Sequence, residues 1–237
     1  MNNVKILVAC HKDCERPEIV ADYPDMFVPI LGGAVYGDRT LSWPNALRDD
    51  QGENISCLNP HLCEFTSLYW AWKNYDMIGN PDYIGLNHYH RFLDPKIYLE
   101  NNDPKMVFTH GINAIPNVFD DFDSVHGRYE LFSMIEDDIC SVNKFVRDVF
   151  YLYFNEQVLL GCSMFVASKQ VFFDTMLFID HLLRIIIPHI DYEEDRLYTR
   201  YYAFLLERMI GFYFYLLHYS GYKVKALNLI NYKDTKL

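Results

Sequence analysis

The sequence lacks the features of a membrane or secreted protein. Its 237 residues contain no run of about 18 consecutive apolar residues, so no membrane-spanning helix is expected. The opening segment MNNVKILVAC is typical of a β-strand and not of a secretory leader. The six cysteines include no C-x-x-C pair, which favours reduced thiols. We therefore expect a soluble protein of the cytoplasm.

Positive charge is also scarce, with 21 Lys and Arg against 32 Asp and Glu and a formal net charge of −11. Because nucleic-acid backbones bind basic surfaces, no nucleic-acid partner is expected. The G-x-S-x-G elbow, the P-loop and the Rossmann glycine fingerprint are absent as well. Their absence excludes the commonest kinds of hydrolase, NTPase and dehydrogenase.

Aromatic residues, by contrast, are abundant: they make up 16% of the chain, and hydrophobic residues make up 51%. The periodicity of these residues predicts a mixed α/β fold in a single domain over residues 1–237, with a helical C-terminal portion. The predicted strands are 4–9, 26–31, 83–86, 105–109, 161–167 and 223–229. The predicted helices are one that begins at Asn59-Pro60 and those over 131–154, 170–187 and 193–219.

The most informative segment joins the strand at 83–86 to the polar run Asn87-His88-Tyr89-His90-Arg91. Ligands of open α/β sheets bind beyond the carboxyl ends of the strands, so this run is a candidate active-site edge. On a continuing strand, His88 and His90 point to the same side and can ligate a metal, although no third ligand is evident. Arg91 can instead hold phosphate oxygens. A polar loop with one structural histidine is the remaining interpretation.

A second candidate lies on the last predicted helix, where helical spacing puts Arg200, Ala203, Glu207 and Gly211 on one face. The small residues four positions before and after Glu207 allow a ligand or a backbone to approach its carboxylate. A carboxylate in such a place is a candidate general base. The alternative, which these residues alone favour, is an ion pair with Arg208 or Arg200 that fixes the helix.

A third candidate is Glu64, at the border of an apolar stripe on the helix that begins at Asn59. Its carboxylate can hydrogen-bond sugar hydroxyls, or it can brace the preceding loop. Trp70 and Trp72 diverge on this helix, so at least one of them belongs to the core. The members of the stripe recur at helical spacing: Leu62, Phe65, Tyr69 and Trp72.

Several motifs, in order along most of the chain, resemble those of the bacterial capsular and exopolysaccharide biosynthesis glycosyltransferases. They are D-x-G-E-N-I-S from Asp50, C-E-F-T-S-L-Y-W-A-W-K-N from Cys63, D-Y-I-G-L-N-H-Y-H-R from Asp82, S-M-F from Ser163 and A-F-L-L-E-R-M from Ala203. The family pattern has Arg at His90, Asp at Glu53 and Asn at Ser163. The His90 departure reduces the cationic charge expected at the edge, because a neutral imidazole contributes less at pH 7.

The resemblance implies a GT-A-like Rossmann-type sandwich that binds a nucleotide-sugar, with a UDP-sugar favoured, and transfers a hexose to a glycan or lipid-linked glycan. The histidine run would stand where many such enzymes carry an Asp-x-Asp metal motif, so no protein metal ligand is assigned and a divalent ion is left open. The resemblance implies Glu207 as base with Glu64 as runner-up. The implied donor-binding residues are His11, Asn54, Tyr83, His88, His90 and Arg91, and the acceptor-binding residues are Trp70, Met164 and Arg208.

Two other classes of function stay open on the sequence. One is a metal-dependent hydrolase that uses His88 and His90, and the other is a non-catalytic glycan-binding module, which the aromatic content favours. A peripheral contact with the inner face of the cell membrane is a further expectation, through the Tyr- and Phe-rich helix over 201–219.

Overall fold

The computed structural model describes residues 2–114, 116–126, 129–192 and 200–232, except for the side chain of Cys162. Within these ranges, nine strands form one mixed sheet in the order β3-β2-β1-β4-β7-β6-β8, with β5 pairing to β4 and β9 pairing to β5. The strands are β1 Val4–Cys10, β2 Phe27–Leu31, β3 Leu47–Arg48, β4 Tyr83–His88, β5 Arg91–Leu93, β6 Met106–Asn113, β7 Val158–Ser168, β8 Lys223–Leu227 and β9 Leu229–Asn231.

Strand direction decides which chain segments meet at each edge of the sheet. Strands β1 to β4 pair in parallel, whereas β7 runs antiparallel to both β4 and β6. The carboxyl ends of the four parallel strands therefore share one edge with the amino end of β7. The centre of β1 is suited to this position because Ile6, Leu7 and Val8 are completely buried.

The helices cover both faces of the sheet, and the larger core lies under α3 and the later helices α5 to α9. A smaller core on the other face includes side chains of α1, α4 and β5. The helices are α1 Glu18–Asp22, α2 Asn59–Leu62, α3 Phe65–Lys73, α4 Pro95–Tyr98, α5 Val118–His126, α6 Tyr129–Ser141, α7 Lys144–Phe154, α8 Lys169–Ile186 and α9 Tyr201–Tyr219, with 3-10 turns at Ser56–Leu58, Tyr75–Ile78 and Ile187–His189.

Two predicted helices differ from the observed ones. The helix predicted over 131–154 is divided into α6 and α7, because Asn143 has an extended backbone and its side chain accepts a hydrogen bond from the Val146 N–H as an N-cap. The predicted helix over 193–219 is observed as α9, and residues 193–199 lie outside the described residues.

The expected membrane contact through α9 stays a prediction. Most apolar side chains of this helix lie in the core, where α9 packs against β7, α7 and α8, whereas Tyr219 at its end is exposed. Among the described residues, no helix combines the length and the apolar character needed to cross a bilayer.

Gly211 allows α9 to pack closely against β7. A Cβ at this position would lie 2.4 Å from the carbonyl oxygen of Leu160 and 1.9 Å from the hydroxyl of Tyr153. Both distances are shorter than a van der Waals contact, and the carbonyl belongs to the backbone of a strand. Gly211 was expected to allow either a ligand or a backbone to approach, and the structure shows that the backbone of β7 does so.

We expect Gly211→Ala to destabilise the protein by about 1–3 kcal/mol, because overpacking outweighs the better helix propensity of alanine. Urea denaturation measures the loss. Gly111→Ala is the matched control, since its nearest neighbours would lie at 3.3 Å. Equal midpoints for the wild type and Gly211→Ala would contradict the close approach.

Candidate active site

The candidate edge begins where β1 and β4 end side by side, with Ala9 paired to His88. His88 is the last residue of β4, Tyr89 and His90 form a tight turn, and Arg91 pairs back to His88 as the first residue of β5. The strand expected to carry both histidines therefore ends between them. Strand alternation does not place the two imidazoles side by side, and their ring centroids are 6.1 Å apart.

Aromatic contacts join this turn to the end of β1. His11 follows β1 and meets Tyr89 edge-on at a centroid distance of 5.3 Å, and Tyr89 meets His90 at 4.5 Å. A cavity of about 330 Å³ opens beside the turn, walled by residues 14–18, Tyr89, His90 and Tyr232. Its size lies within the range of small-molecule sites. Two of the residues predicted to bind the donor, His11 and His90, thus lie near each other at the edge.

Glu64 reaches the same edge from the face of the larger core. It directly precedes α3, and its Oε1 lies 3.9 Å from Nε2 of His88. Both side chains are mostly enclosed, with 16% of Glu64 and 19% of His88 exposed. The structure therefore joins a predicted catalytic carboxylate to a predicted donor-binding histidine.

An unusual backbone conformation at Cys63 separates α2 from α3 and sets the position of Glu64. Cys63 has φ of 49° and ψ of −129°, which non-glycine residues rarely adopt. Its carbonyl oxygen accepts hydrogen bonds from Asn59 Nδ2 at 2.8 Å and from the Thr66 backbone N–H at 3.3 Å. The helix predicted to continue from Asn59 is thereby interrupted. Asn59 lies within α2, and its side chain bonds the carbonyl at the break between α2 and α3 instead of capping the start of the helix.

Asp49, just after β3, is the second anchor of this region, and it is completely buried. Its carboxylate accepts hydrogen bonds from the backbone N–H groups of Gly33 and Ala34, both at 2.9 Å. It also accepts from the hydroxyls of Ser56 and Thr66. These four donors compensate for the hydration that the carboxylate loses on burial. Asp49 thus joins the loops after β2 and β3 to α3.

Glu207 approaches the edge from α9, with 12% of its side chain exposed. A Cβ at Gly161 of β7 would lie 3.2 Å from Glu207 Oε1, so the carboxylate lies directly over that strand. Glu207 Oε2 accepts from Arg208 Nη1 at 3.2 Å, and Arg208 Nη2 donates to Asp121 Oδ2 at 3.1 Å. The ion pair expected as the structural alternative is present. It also holds the carboxylate in place over β7.

Arg200 links the two carboxylates. The pKa of Arg200 is raised first by Cys63 and then by the carboxylates of Glu64 and Glu207. Burial raises the pKa of Cys63 to about 11, with a further rise from Glu64 and an opposing effect from Arg200. Cys63 is therefore a neutral thiol at pH 7. We name Cys63, Glu64, His88, Arg200 and Glu207 the carboxylate cluster.

Two residues predicted to bind the donor have structural positions instead. Tyr83 is the first residue of β4, so roughly 16 Å of strand separates it from His88 at the edge. The Asn54 side chain shapes its own loop: Nδ2 donates to the carbonyl oxygens of Asp50 and Gly52, and Oδ1 accepts from the Ser56 N–H. The donor contact expected of Tyr83 is corrected to this position, and the donor contact expected of Asn54, which is exposed, stays a prediction.

The three residues predicted to bind the acceptor are all enclosed. Trp70 is completely buried and its indole N–H donates to the Gln51 carbonyl oxygen at 2.7 Å, which makes it the core tryptophan of the diverging pair. Met164 is 1% exposed and belongs to the smaller core. Arg208 is 6% exposed and is committed to Glu207 and Asp121. The predictions are therefore corrected: Trp70 and Met164 belong to the core, and Arg208 positions Glu207.

Ser163 lies in a β-bulge of β7 close to the carboxylate cluster. Thr109 of β6 pairs with Phe165, but the next residue, His110, pairs with Gly161, so extra residues of β7 stand out of the ladder. Ser163 is buried with φ of 53°. Asn adopts this left-handed conformation more readily than Ser. The departure from the family pattern at Ser163 therefore falls on a position with a backbone requirement.

The metal-dependent hydrolase considered on the sequence would use His88 and His90 as ligands. Within the described part of the chain, no three His, Cys, Asp or Glu side chains are arranged to hold one. His88 has Glu64 as an acidic neighbour at 3.9 Å, and the turn carries His90 away from strand alternation. No step of the chemistry below is assigned to a metal.

Sequence reasoning missed two residues of this region. Asp49 directly precedes Asp50, and the sequence does not distinguish the two residues. The structure does, because Asp49 is completely buried. For Arg200 the sequence suggests an ion pair with Glu207, whereas its electrostatic interaction with Cys63 and Glu64 joins distant parts of the chain, which no local pattern reveals.

Two comparisons find proteins similar to this chain. Residues 5–218 match the family model described as a domain of unknown function, DUF4422. The solved apo structure of WbbM, a bifunctional glycosyltransferase, matches with a TM-score of 0.76 and 20% sequence identity, over 98% of this chain and 46% of that chain. The chain thus spans about half the length of WbbM. No match was found among the curated proteins. The expected α/β sandwich with a mixed central sheet is confirmed.

We expect Asp49→Asn to cost about 3 kcal/mol of unfolding free energy, because the new amide leaves buried donors without an acceptor. Asp50→Asn is the matched control. It breaks only the partly exposed pair with Arg48, which is worth less than about 1 kcal/mol. Chemical denaturation of both variants measures the difference. Equal losses in the two variants would refute the anchoring role of Asp49.

Proposed function

The chain belongs to the family described as domain of unknown function DUF4422, and we propose that it is a glycosyltransferase. The observation that carries this proposal is the carboxylate cluster. It brings Glu64 and Glu207, from distant parts of the chain, to the edge where the parallel strands β1 and β4 end. The fold likeness to WbbM, a bifunctional glycosyltransferase, supports the same class.

Glu207 acts as the general base in this proposal. Its carboxylate takes the proton of an acceptor hydroxyl, whose oxygen forms a bond to the anomeric carbon of the donor sugar. The bond from that carbon to the phosphate oxygen breaks, and the nucleoside diphosphate leaves with the electron pair. Arg208 holds Glu207 over β7 at 3.2 Å, so the base is positioned before the substrate arrives.

The donor binds along the edge formed by His11, His88, His90 and Arg91. The developing negative charge on the leaving diphosphate requires donors or cations, which these side chains supply. The cavity of about 330 Å³ beside Tyr89 and His90 gives room for part of a nucleotide. A UDP-hexose is the proposed donor.

The proposed setting is the synthesis of capsule, exopolysaccharide or O-antigen in bacteria, because the motifs resemble enzymes of that kind. The acceptor is a glycan or a lipid-linked glycan, and the proposed place of work is the cytoplasm at the inner face of the membrane. The fold is proposed to be of the GT-A type.

A nucleotide screen tests the function. We expect UDP, compared with GDP and CDP, to raise the melting temperature, since a ligand that binds only the folded state stabilises it by about 2.7 kcal/mol at 100 times its Kd. Arg91→Ala should reduce the shift, and Arg184→Ala, which changes an exposed arginine of α8, should not. A protein that binds methyl glycosides but none of the three nucleotides would be a glycan-binding module and not a transferase.

Glu207→Gln tests the base. We expect transfer to fall by about 10²–10⁴-fold, because the amide cannot accept the proton, while the Kd for the nucleoside diphosphate is unchanged. Glu156→Gln is the control, since Glu156 is an exposed carboxylate that contacts the same helix through the Tyr215 hydroxyl. Wild-type turnover in Glu207→Gln would remove Glu207 from the mechanism.

A further inference from the structure

The loop after β2 carries an arginine to the edge of the sheet where the parallel strands end. Arg39 is exposed, and its Nη1 donates a hydrogen bond to the carbonyl oxygen of His11 at 2.7 Å. Its Nη2 donates to the carbonyl oxygen of Gly33. His11 directly follows β1, and Gly33 lies two residues after β2. The guanidinium therefore bridges the segments that leave two neighbouring parallel strands, which is where ligands of open α/β sheets bind.

The guanidinium of Arg39 is held in position by its surroundings. Arg48 Nη1 donates to the Arg39 carbonyl oxygen at 2.8 Å, which fixes the backbone from which the side chain extends. The Gly33 N–H donates to the buried carboxylate of Asp49, so the loop that supplies one of the two acceptors is itself anchored. A side chain that is already ordered loses little conformational freedom when a ligand binds to it.

Two further contacts join the segment that contains Arg39 to the segment after β1. Asp13 Oδ1 accepts from the backbone N–H of Ser42 at 2.7 Å and from its hydroxyl at 2.9 Å. The buried indole of Trp43 donates to the carbonyl oxygen of Cys14 at 2.8 Å. Cys14 also lines the cavity of about 330 Å³ that is proposed to hold part of the nucleotide. The wall that carries Arg39 is thus continuous with a wall of that cavity.

The charge of Arg39 differs from that of its neighbour Arg48. Arg48 is paired with Asp50 at 2.8 Å, so a carboxylate balances its charge. The hydrogen-bond acceptors of Arg39 in the described part of the chain are backbone carbonyls, which carry no net charge. Arg39 therefore keeps a positive charge at the edge of a chain whose formal net charge is −11. A positive charge at a ligand-binding edge attracts anions.

The positive charge at this edge suits a diphosphate. Of the side chains proposed to bind the donor, only Arg91 has a charge that is constant around neutral pH, because histidine changes its charge between about pH 5 and 8. A guanidinium presents its N–H groups in a planar fork that matches phosphate oxygens. Arg39 brings such a fork to His11, whose ring meets Tyr89 of the turn edge-on at a centroid distance of 5.3 Å.

We propose that Arg39 binds the diphosphate of the donor as a second permanent cation, with the carbonyl oxygens of His11 and Gly33 orienting its guanidinium. This inference rests on the proposed function. When the bond from the anomeric carbon to the phosphate oxygen breaks, the nucleoside diphosphate leaves with the electron pair. The charge of Arg39 stabilises this leaving group.

Titrations with UDP, inorganic pyrophosphate and uridine test the inference, the first two by calorimetry and uridine by saturation-transfer NMR. We expect Arg39→Gln to raise the Kd for UDP and for pyrophosphate by about tenfold or more, because hydrogen bonds from a charged group are lost, and to leave uridine binding unchanged. Arg39→Lys, which keeps the charge but loses the planar fork, should give a smaller loss. Arg184→Gln on the exposed surface of α8 is the matched control and should change none of the three affinities.

A second variant separates the charge of Arg39 from its contacts between the loops. Ser42→Ala removes one hydrogen bond between the two segments and leaves every charge in place. We expect it to keep the wild-type Kd for pyrophosphate. In the wild type this Kd should rise with added NaCl, because salt screens the attraction, and in Arg39→Gln it should rise less steeply.

Three results would overturn the inference: an unchanged Kd for UDP and pyrophosphate in Arg39→Gln, an equal loss of uridine affinity in that variant, or no binding of UDP and pyrophosphate by the folded wild type. An equal loss of uridine affinity would make Arg39 a structural bridge between the loops. If UDP binds in an Arg39-dependent way but no sugar is transferred from UDP-sugars, the diphosphate site stands and the transferase proposal fails. If transfer occurs and UDP affinity does not depend on Arg39, the transferase proposal stands and this inference fails.

Discussion

The buried carboxylate of Asp49 is the interaction on which the geometry of this region depends. It ends the loop after β2 by accepting two backbone N–H groups, and it fixes α3 by accepting the hydroxyl of Thr66. The backbone N–H of Thr66 in turn donates to the carbonyl of Cys63, whose left-handed backbone positions Glu64. One enclosed charge thus determines where a second one lies. The position of Glu64 would be lost if the first carboxylate were left without its donors.

The carboxylate cluster balances charge within a small volume. Glu207 is paired with Arg208 and Glu64 lies near His88, while Arg200 contributes to the field of both carboxylates. Because each carboxylate has a basic neighbour, enclosing both of them costs less free energy than enclosing two carboxylates without such neighbours. It leaves oxygen acceptors and guanidinium donors next to one another, which is the pattern that hydroxylated ligands require.

Much of the sheet followed from the sequence because β1 is a β-branched run and because β4 and β7 contain short apolar runs. The turn at Tyr89-His90 did not, since it contains no Gly, Pro or Asp, and the pairing of β5 with β9 that completes it is a long-range contact. Among the predicted site residues, Glu64 and His88 lie 3.9 Å apart in the structure. Trp70, Met164 and Arg208 were assigned to a surface they do not reach, because residue type alone does not distinguish a buried aromatic or arginine from an exposed one.

The carboxylate cluster also has a consequence for how the chain folds. Its members come from the loop before α3, from the end of β4 and from α9, so they meet only after contacts between distant parts of the sequence have formed. Closing such long loops carries an entropic cost that local helices do not pay. We therefore expect the cluster to be complete only when α9 has packed on β7, where Gly211 lies against the carbonyl of Leu160. A chain that has completed β1 and β4 but not α9 has the edge of the sheet without the carboxylate of Glu207.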